Sequence, residues 1–357
     1  MSKKNKKKMN NKTKQIIILF SLVLVVGIGF FITSSMKEDT NPKKEEDNKT
    51  ENKVPEKEEV TPEKKLSIIN EDSTTRPIGV MIDNVKGAWP QAGINDAYLT
   101  YEITVEGGLT RLFALFKDKD VSMIGPVRSL RHYYIDYQKE NDSILTHFGH
   151  SPKALSDIGT YNVPSINGIY VGIFWRDSSL TNAPHNAFTS TKKITDYAEK
   201  KGYNKSVSDT LLNYSVDEIN LDTIDGVINA GEVNIRYSNN TNVYYQYDSL
   251  QKKYLKTINS EQIKDRNTNE RLTVKNIIVI NVKNFNLGDG SGRQDLSNIT
   301  SGNGYYITNG NAVKIKYEKT SKEGKTKYMH LNGEEIKVND GNTYIQIQPI
   351  NEVTTFK

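Results

Sequence analysis

An apolar run near the amino terminus places the firmest constraint on how this chain can fold. Residues 16–32 carry no charge, and the fourteen residues before Gln15 include seven lysines and no acid. With its flanks the run reaches about 20 residues, enough at about 1.5 Å per residue to cross a hydrocarbon core of roughly 30 Å. Lysines on one side only keep that end inside. The pattern predicts a basic cytoplasmic tail over 1–15, a transmembrane anchor over 16–36 and an extracellular remainder.

A cleaved signal peptide is the alternative interpretation of the same segment. The basic start fits one, but the apolar run is slightly longer than a usual signal core and no clean Ala-x-Ala site follows it. Whether the segment is cleaved stays open. The chain has no cysteine, so a lipid-modified cysteine, disulfides and thiolate metal sites are all excluded. The exported part must be stable through its core alone.

The net charge of +5 comes entirely from the basic tail. Subtracting its seven lysines leaves about −2 on the rest of the chain. Nucleic-acid binding would need a clustered basic face on the folded part, so no nucleic-acid partner is predicted. The tail is better explained as a topology signal that also contacts anionic lipid.

Composition divides the rest of the chain into a linker and two folded regions. Residues 37–68 consist almost wholly of Lys, Glu, Asp, Asn, Thr and Pro, which predicts a disordered, extended tether. The number of residues that follow is sufficient for two domains. A change of composition near residue 215 predicts an N-terminal domain over 69–215 and a C-terminal domain over 216–357.

Hydrophobic periodicity predicts an α+β protein. The first domain combines strands over 77–83, 96–102 and 112–116 with three helices, so it is a mixed α/β domain. The helices are predicted over 129–140, from the Ser151-Pro152 start signal, and over 191–201. The second domain alternates at period two between Asn-Gly and Asp-Gly turns, which indicates mostly antiparallel strands.

Four arginines in the first domain suggest a site for an anion. Gly125-Pro126 leads into the helix predicted from Ser129, and the free N–H groups of a helix start attract anions. Arg128 and Arg131 lie beside this start and would strengthen such a site. Arg111 and Arg176 belong to the same region of clustered arginines. In the alternative interpretation the arginines pair with acids and hold the fold, with Glu102, Glu106 and Asp136 as the partners.

Two histidines and a glycine-rich loop raise the question of a metal. His147 and His150 are three residues apart, but a metal also needs a third ligand and an ordered backbone, and Gly149 argues against a regular helix. The loop 288–293 lacks the alternating acids and closing glutamate of a calcium loop. The sequence therefore predicts no metal and no cofactor.

The stretch from Phe174 to Asn186 is the densest in chemically active side chains. His185 could act as a general base, with Asp177 orienting it. Glu102 with Asp177 could form the carboxylate pair of a glycan hydrolase. The chain lacks cysteine, and no Gly-x-Ser-x-Gly elbow precedes this stretch, so familiar covalent nucleophiles are missing.

Several ordered motifs resemble the YerB-like family of Gram-positive envelope proteins. The matching stretches cover roughly residues 72–352 and include Arg76–Asn84, Ala97–Glu102, Glu106–Arg111, Gly125–Arg131, Ala183–Asn186 and Gly341–Ile347. The resemblance implies a surface location and two domains, and it implies no established reaction. Members are commonly lipoproteins, whereas this chain has an apolar helix and no lipid-accepting cysteine. Where Gly-Gly-Ser-Pro is expected, this chain has Gly149-His150-Ser151-Pro152, which puts a general role for His150 in doubt.

Two functions remain open from the sequence. The first is an envelope protein that binds an anionic ligand or cell-wall component, with peptidoglycan or envelope proteins as partners. Its candidate ligand-binding residues are Arg111, Arg128, Arg131, His150, Arg176 and Asn186. The second is a peptidoglycan or glycan hydrolase. Its candidate catalytic residues are Glu102, Asp177 and His185.

Overall fold

The computed structural model describes residues 64–207 and 210–357. The predicted tail, the predicted anchor and most of the predicted linker lie outside these residues. No helix in the described ranges is long and apolar enough to cross a membrane.

The described part is mostly strand, with a few short helices. The helices are α1 (Tyr134–Glu140), α2 (Pro152–Thr160) and α3 (Thr191–Lys200), and single 3-10 turns lie at Lys86–Ala88 and Glu106–Gly108. The strands are β1 (Ile78–Asp83), β2 (Leu99–Thr104), β3 (Thr110–Phe116), β4 (Ile144–His147), β5 (Ser165–Asn167), β6 (Trp175–Arg176), β7 (Ala187–Phe188), β8 (Asn213–Ser215), β9 (Ile228–Asn229), β10 (Glu232–Arg236), β11 (Asn242–Asp248), β12 (Lys253–Ile258), β13 (Glu261–Gln262), β14 (Thr273–Val274), β15 (Asn276–Val282), β16 (Asn284–Asn286), β17 (Gln294–Leu296), β18 (Ser301–Thr308), β19 (Asn311–Glu318), β20 (Lys327–His330), β21 (Lys337–Asn339), β22 (Thr343–Pro349) and β23 (Thr354–Phe356).

A mixed sheet of eleven strands forms the centre of the protein. Its order is β20-β19-β18-β15-β22-β2-β3-β1-β4-β5, and β9 pairs with β19. β22 lies parallel to both β15 and β2, so it joins strands from the two regions of the sequence. The α+β class is confirmed, and the two regions share one sheet.

A second, antiparallel sheet packs on one face of the central sheet. Its order is β13-β12-β11-β10-β23, with β14 paired to β12. Alternate residues of these strands are buried, as the period-two pattern predicts. Val80 and Val279 of the central sheet share an apolar core with Val243 and Ile258 of the second sheet. The opposite face of the central sheet is covered by α1 and α2.

Local signals in the sequence explain where two of the three helices begin. The Ser151 hydroxyl accepts a hydrogen bond from the Ala154 N–H, and Pro152 occupies the first turn of α2. The Ser190 hydroxyl caps α3 in the same way by accepting from the Lys193 N–H. Both helices are confirmed close to their predicted positions.

The helix predicted from Ser129 begins five residues later, at Tyr134. The segment before it is extended because its backbone bonds to distant residues: the N–H of Arg128 donates to Met81 O at 2.9 Å, and that of Leu130 to Gly149 O at 3.0 Å. The predicted helix start beside Arg128 was therefore wrong. An anion site at the arginines stays a prediction.

The folded region takes in the last residues of the segment predicted as linker. The N–H and hydroxyl of Ser67 donate to Asp340, each at 2.8 Å, and the Ile68 N–H donates to the same carboxylate at 2.9 Å. Leu66 packs against the core. Composition alone placed these residues in the predicted linker, because the solvent-exposed lysines that precede them are typical of a disordered tether.

A fully buried ion pair connects the two sheets. Lys256 Nζ on β12 lies 2.5 Å from Glu102 Oε2 on β2, and both side chains are 0% exposed. The other carboxylate oxygen accepts from Asn84 Nδ2 at 2.9 Å and from the Thr110 hydroxyl at 2.8 Å. The lysine ammonium also lies 4.6 Å from the centre of the Tyr344 ring. Every charge in this network therefore has a close partner, as burial demands.

Replacing Lys256 with methionine should lower the free energy of unfolding by about 3–5 kcal/mol, because it leaves the Glu102 carboxylate buried without its cation. Urea unfolding of residues 64–357, followed by circular dichroism, measures this. Adding Glu102→Gln to Lys256→Met should recover much of the loss. The exposed pair Lys192–Asp196 supplies the control, since Lys192→Met should leave the free energy of unfolding nearly unchanged. Equal losses from the two lysine variants would contradict the argument.

Candidate functional site

The carboxylate of Asp83 organises a cluster at the end of β1. Its side chain is 2% exposed, and one oxygen, Oδ2, lies 2.7 Å from His185 Nδ1 and 2.9 Å from Arg128 Nε. Asp83 projects from the same face of the sheet as Met81 and is paired in register with Arg111 of β3. We call Asp83, Arg128 and His185 the Asp83 cluster.

His185 is held in place from two sides. Its Nδ1 contacts Asp83, and its ring lies over Gly87, where an added Cβ would come 3.6 Å from the ring. The side chain is 28% exposed, and within the described residues Nε2 has no hydrogen-bond partner. A carboxylate that accepts from Nδ1–H leaves Nε2 free to exchange a proton or to donate to a ligand.

Arg128 lies beside His185 on the same buried oxygen. Its contact with Asp83 is an ion pair rather than a well-aligned hydrogen bond, since Nε lacks hydrogen-bonding geometry. The side chain is 26% exposed, and its terminal nitrogens make no hydrogen bond or ion pair in the part of the chain that the structure describes. The guanidinium donors of Arg128 and Nε2 of His185, which donates when the ring is protonated, thus lie beside the same carboxylate.

Arg111 and Arg131 lie behind this cluster and are engaged with the protein. Arg111 is buried and donates to the backbone oxygen of Ser129. Burial lowers its pKa, and neighbouring Arg131 adds to that effect. Arg131 binds Glu106 through two bonds of 2.5 and 2.9 Å. Although burial opposes it, this pairing lowers the pKa of the Glu106 carboxyl.

The charges around Asp83 do not cancel. The arginines Arg111, Arg128 and Arg131 contribute three positive charges, against two negative charges from Asp83 and Glu106. The balance is +1, and it becomes +2 when His185 is protonated. Such a balance favours an anion at the exposed donors.

The other loop residues mostly bond to one another. Arg176 donates to Asn186 Oδ1 at 2.9 Å and lies 4.8 Å from the centre of the Phe148 ring. Asp177 lies 2.6 Å from Arg266 on the second sheet's side of the protein. Arg176 bonds to Asn186, which directly follows His185, so Arg176 lies next to the Asp83 cluster. The Asp177 side chain is paired with Arg266 instead.

Glu102 is separated from His185 and from Asp177. It projects from the opposite face of the sheet to Asp83, is completely buried and is paired with Lys256. Asp177 is bound by Arg266 instead. The structure therefore brings no pair of carboxylates from Glu102 and Asp177 to a common surface, and the sugar-hydrolysis arrangement predicted from them has no geometric support.

His147 and His150 are adjacent, with ring centres 6.1 Å apart. His147 donates from Nδ1 to Gly149 O and accepts at Nε2 from Ser165 Oγ, each at 2.7 Å, so neither nitrogen is free for a metal. His150 lies half-buried, and its Nε2 is buried without a hydrogen-bond partner in the described ranges. Among residues 64–207 and 210–357 no group of three potential ligands is placed to hold a metal.

The Asp83 cluster reaches the surface through Arg128 and His185, whose side chains are about a quarter exposed. A cavity of about 530 Å³ is found elsewhere, between the segment 64–72 and residues 117–119. A smaller one of about 160 Å³ is lined by Asn84, Lys86 and Trp89, next to the end of β1. The exposed donors are therefore suited to one charged group on a larger molecule rather than to an enclosed small ligand.

Asp83 was not predicted as a site residue, although it lies in a predicted strand. One signal was present: an acid ends an otherwise apolar strand, and such an acid needs a cation when it is buried. Lys256 was not predicted as a buried charge because it occupies an inward position of a strand whose alternating pattern is typical of ordinary β structure.

The fold and the cluster define a two-part protein whose first part carries the candidate site. Residues 66–204 match the family described as Protein of unknown function (DUF3048) N-terminal domain, and residues 233–345 match its C-terminal domain. The chain belongs to this family.

Two comparisons with individual proteins agree with this assignment. The chain is 29% identical over 273 residues to a protein of Bacillus subtilis (strain 168) named "Putative lipoprotein YerB", covering 74% of this chain and 76% of the relative. The crystal structure of YerB from Bacillus subtilis superposes with a TM-score of 0.69 at 27% identity, covering 79% of this chain and 94% of that chain. The YerB-like resemblance and the two-part layout are confirmed.

The neutral state of His147 should make stability depend on pH. Burial lowers its pKa to about 4, whereas a histidine in an unfolded chain titrates near about 6.5. The unfolded chain therefore takes up a proton between these values, and the fold does not. Stability contributed by neutral His147 is complete above about pH 6.5 and is lost as the pH falls toward 4, by about 2 kcal/mol between pH 7 and 5.

Urea unfolding of residues 64–357 at pH 7 and pH 5 tests this expectation. His147→Asn should lower stability at pH 7 but remove that part of the difference between the two pH values. His330→Gln, at a half-buried position on β20, should leave the difference unchanged. An undiminished pH dependence in the His147 variant would refute the assignment.

Proposed function

We propose that this chain is an extracytoplasmic protein of the cell envelope that binds an anionic group of a cell-wall component through the Asp83 cluster. The observation that carries the proposal is the pairing of Arg128 and His185 on one buried oxygen. The terminal nitrogens of Arg128 and Nε2 of His185 have no hydrogen-bond partner within the described residues. The positive balance of charge around Asp83 supports an anion there. Stem-peptide carboxylates, charged glycans and acidic envelope proteins all offer such a group.

The location is proposed from two observations. A relative is named as a lipoprotein, which indicates attachment to a membrane. This chain has no cysteine, but residues 16–32 form an uncharged apolar run after a lysine-rich tail. We therefore propose single-pass anchoring through residues 16–36 with the tail inside. A tether of about 30 extended residues at about 3 Å each would carry the folded part tens of ångströms toward the wall.

The site assigned here is narrower than the set predicted from the sequence. Arg128 and His185 would contact the ligand, and Arg176 with Asn186 would extend the surface beyond His185. Arg111 and Arg131 would act from behind by adding positive potential. His150 lies next to buried His147, and within the described residues no hydrogen bond or ion pair joins it to the cluster.

A hydrolase remains the second candidate, and one contact favours it. The 2.7 Å approach of Asp83 to His185 Nδ1 orients the ring as in a general base. Asp83 would take the orienting role that the sequence assigned to Asp177. The substrate would again be a wall polymer.

Arg128→Gln should weaken binding to wall polymer by about tenfold or more, because a charged hydrogen bond contributes about 1.5–3 kcal/mol. The assay sediments residues 64–357 with purified peptidoglycan and measures the bound fraction at low and high salt. Binding by the unmodified protein should fall as salt rises. Arg293→Gln is the matched control, since Arg293 pairs with Asp289 within a separate hairpin.

The same samples separate the two candidates. Mass spectrometry of the supernatant detects fragments released by a hydrolase, and release that stops in His185→Ala, with folding intact, would favour the enzyme. Salt-sensitive binding without release supports the binding protein. Wild-type affinity in Arg128→Gln would rule out the Asp83 cluster as the binding site.

A further inference from the structure

We propose that the Asp83 cluster is selective for a tetrahedral dianion of the phosphate monoester class, and that binding it brings a proton onto His185. This inference rests on the proposed function, which requires only that some anion binds. It adds the shape and charge of the group and a dependence of affinity on pH.

The first argument is geometric. His185 Nδ1 and Arg128 Nε contact the same oxygen of Asp83, at 2.7 and 2.9 Å, so these two nitrogens are at most 5.6 Å apart by the sum of the two distances. The imidazole and the guanidinium are therefore neighbours. Their remaining nitrogens, Nε2 of His185 and the terminal nitrogens of Arg128, have no hydrogen-bond partner in the described residues, and the two side chains are 28% and 26% exposed.

The second argument concerns the number of acceptor oxygens. A carboxylate has two oxygens in one plane, and an arginine fork can occupy both. A phosphate monoester has three terminal oxygens in a tetrahedral arrangement. Two of them can accept from the Arg128 fork while the third accepts from His185 Nε2–H. The tetrahedral group therefore keeps a separate oxygen for His185 after the Arg128 fork is occupied, which a carboxylate does not.

The third argument is the charge available to the ligand. With His185 neutral, the five charged groups around Asp83 sum to +1, and with His185 protonated they sum to +2. Charged side chains on the adjacent elements are occupied: Lys86 lies 2.5 Å from Glu261, and Asp177 lies 2.6 Å from Arg266. Arg176, on the strand before the His185 loop, adds a further positive charge. A dianion is thus matched best by the protonated cluster.

The proton linkage follows from these charges. Histidine changes charge within the range between pH 5 and pH 8. A dianion beside Nε2 favours the charged imidazolium, so binding should take up a proton. By the same linkage the affinity for an anion of constant charge should rise as the pH falls.

Sulfate provides a probe of constant charge, since it remains a dianion from pH 6 to pH 8. Isothermal titration of the full chain in detergent, at low salt, measures its affinity at both pH values. We expect affinity about fivefold or more higher at pH 6. Titration at one pH in two buffers of different ionisation enthalpy should show uptake of up to one proton per bound sulfate. Phenyl phosphate should bind, and acetate should bind much more weakly.

Two variants and a control assign the effect to its residues. His185→Gln keeps a neutral donor and should abolish both the pH dependence and the proton uptake. Arg128→Gln should weaken sulfate binding at both pH values. His330→Gln changes a histidine on β20, outside the cluster, and should bind as the unmodified protein does. If His185→Gln does not fold, the proton count of the unmodified chain still decides the question.

The outcomes distinguish this inference from the proposed function. Acetate bound as tightly as sulfate, in an Arg128-dependent way and without proton uptake, would overturn the dianion assignment and leave anion binding intact. Sulfate binding that persists at full strength in both variants would overturn the assignment to this cluster. If neither sulfate, phenyl phosphate nor acetate binds at either pH, both the inference and the proposed function fail.

Discussion

The parallel pairing of β2 with β22 is the contact on which the rest of this structure depends. It joins Glu102 to Gln346 across 244 residues of sequence and makes one sheet from strands of both regions. Lys256 then reaches from the second sheet to Glu102, so the same strand also ties the two sheets together. Because a buried ion pair contributes little net stability unless its geometry is good, this pair is best understood as fixing how the two sheets meet.

The candidate site is a consequence of that sheet. β1 pairs with β3, and β3 pairs with β2, which carries Glu102. The end of β1 is therefore fixed through the central sheet. Asp83 projects toward the helical face, while its neighbour Asn84 bonds to Glu102 on the opposite face. Two loops distant in sequence then bring Arg128 and His185 to one oxygen. A rigid strand end positions loop residues, which is a common way of building a binding site.

Family membership and proposed function are supported by different observations on this protein. The match to both parts of the family and the likeness to the YerB crystal structure establish the fold. Neither describes a ligand or a reaction, so the proposed anion site depends on the contacts of Asp83 alone. The proposed envelope location likewise rests on the relative's name together with the apolar run. A lipid anchor and a transmembrane helix are different attachments, but either one would put the folded part on the same side of the membrane.

The sequence by itself determined the local structure. The period-two pattern of Lys253–Ile258, the Ser151 cap of α2 and the Asn309-Gly310 turn, with both residues at positive φ, depend only on neighbouring residues. The tertiary structure alone decided which strands pair, that the Ser129 segment is extended, and that Asp83 rather than Asp177 holds His185. Such contacts join residues that are not neighbours in the sequence, such as Asp83 and His185, which are 102 residues apart. Their free energy comes from burial and charge compensation that no local pattern encodes.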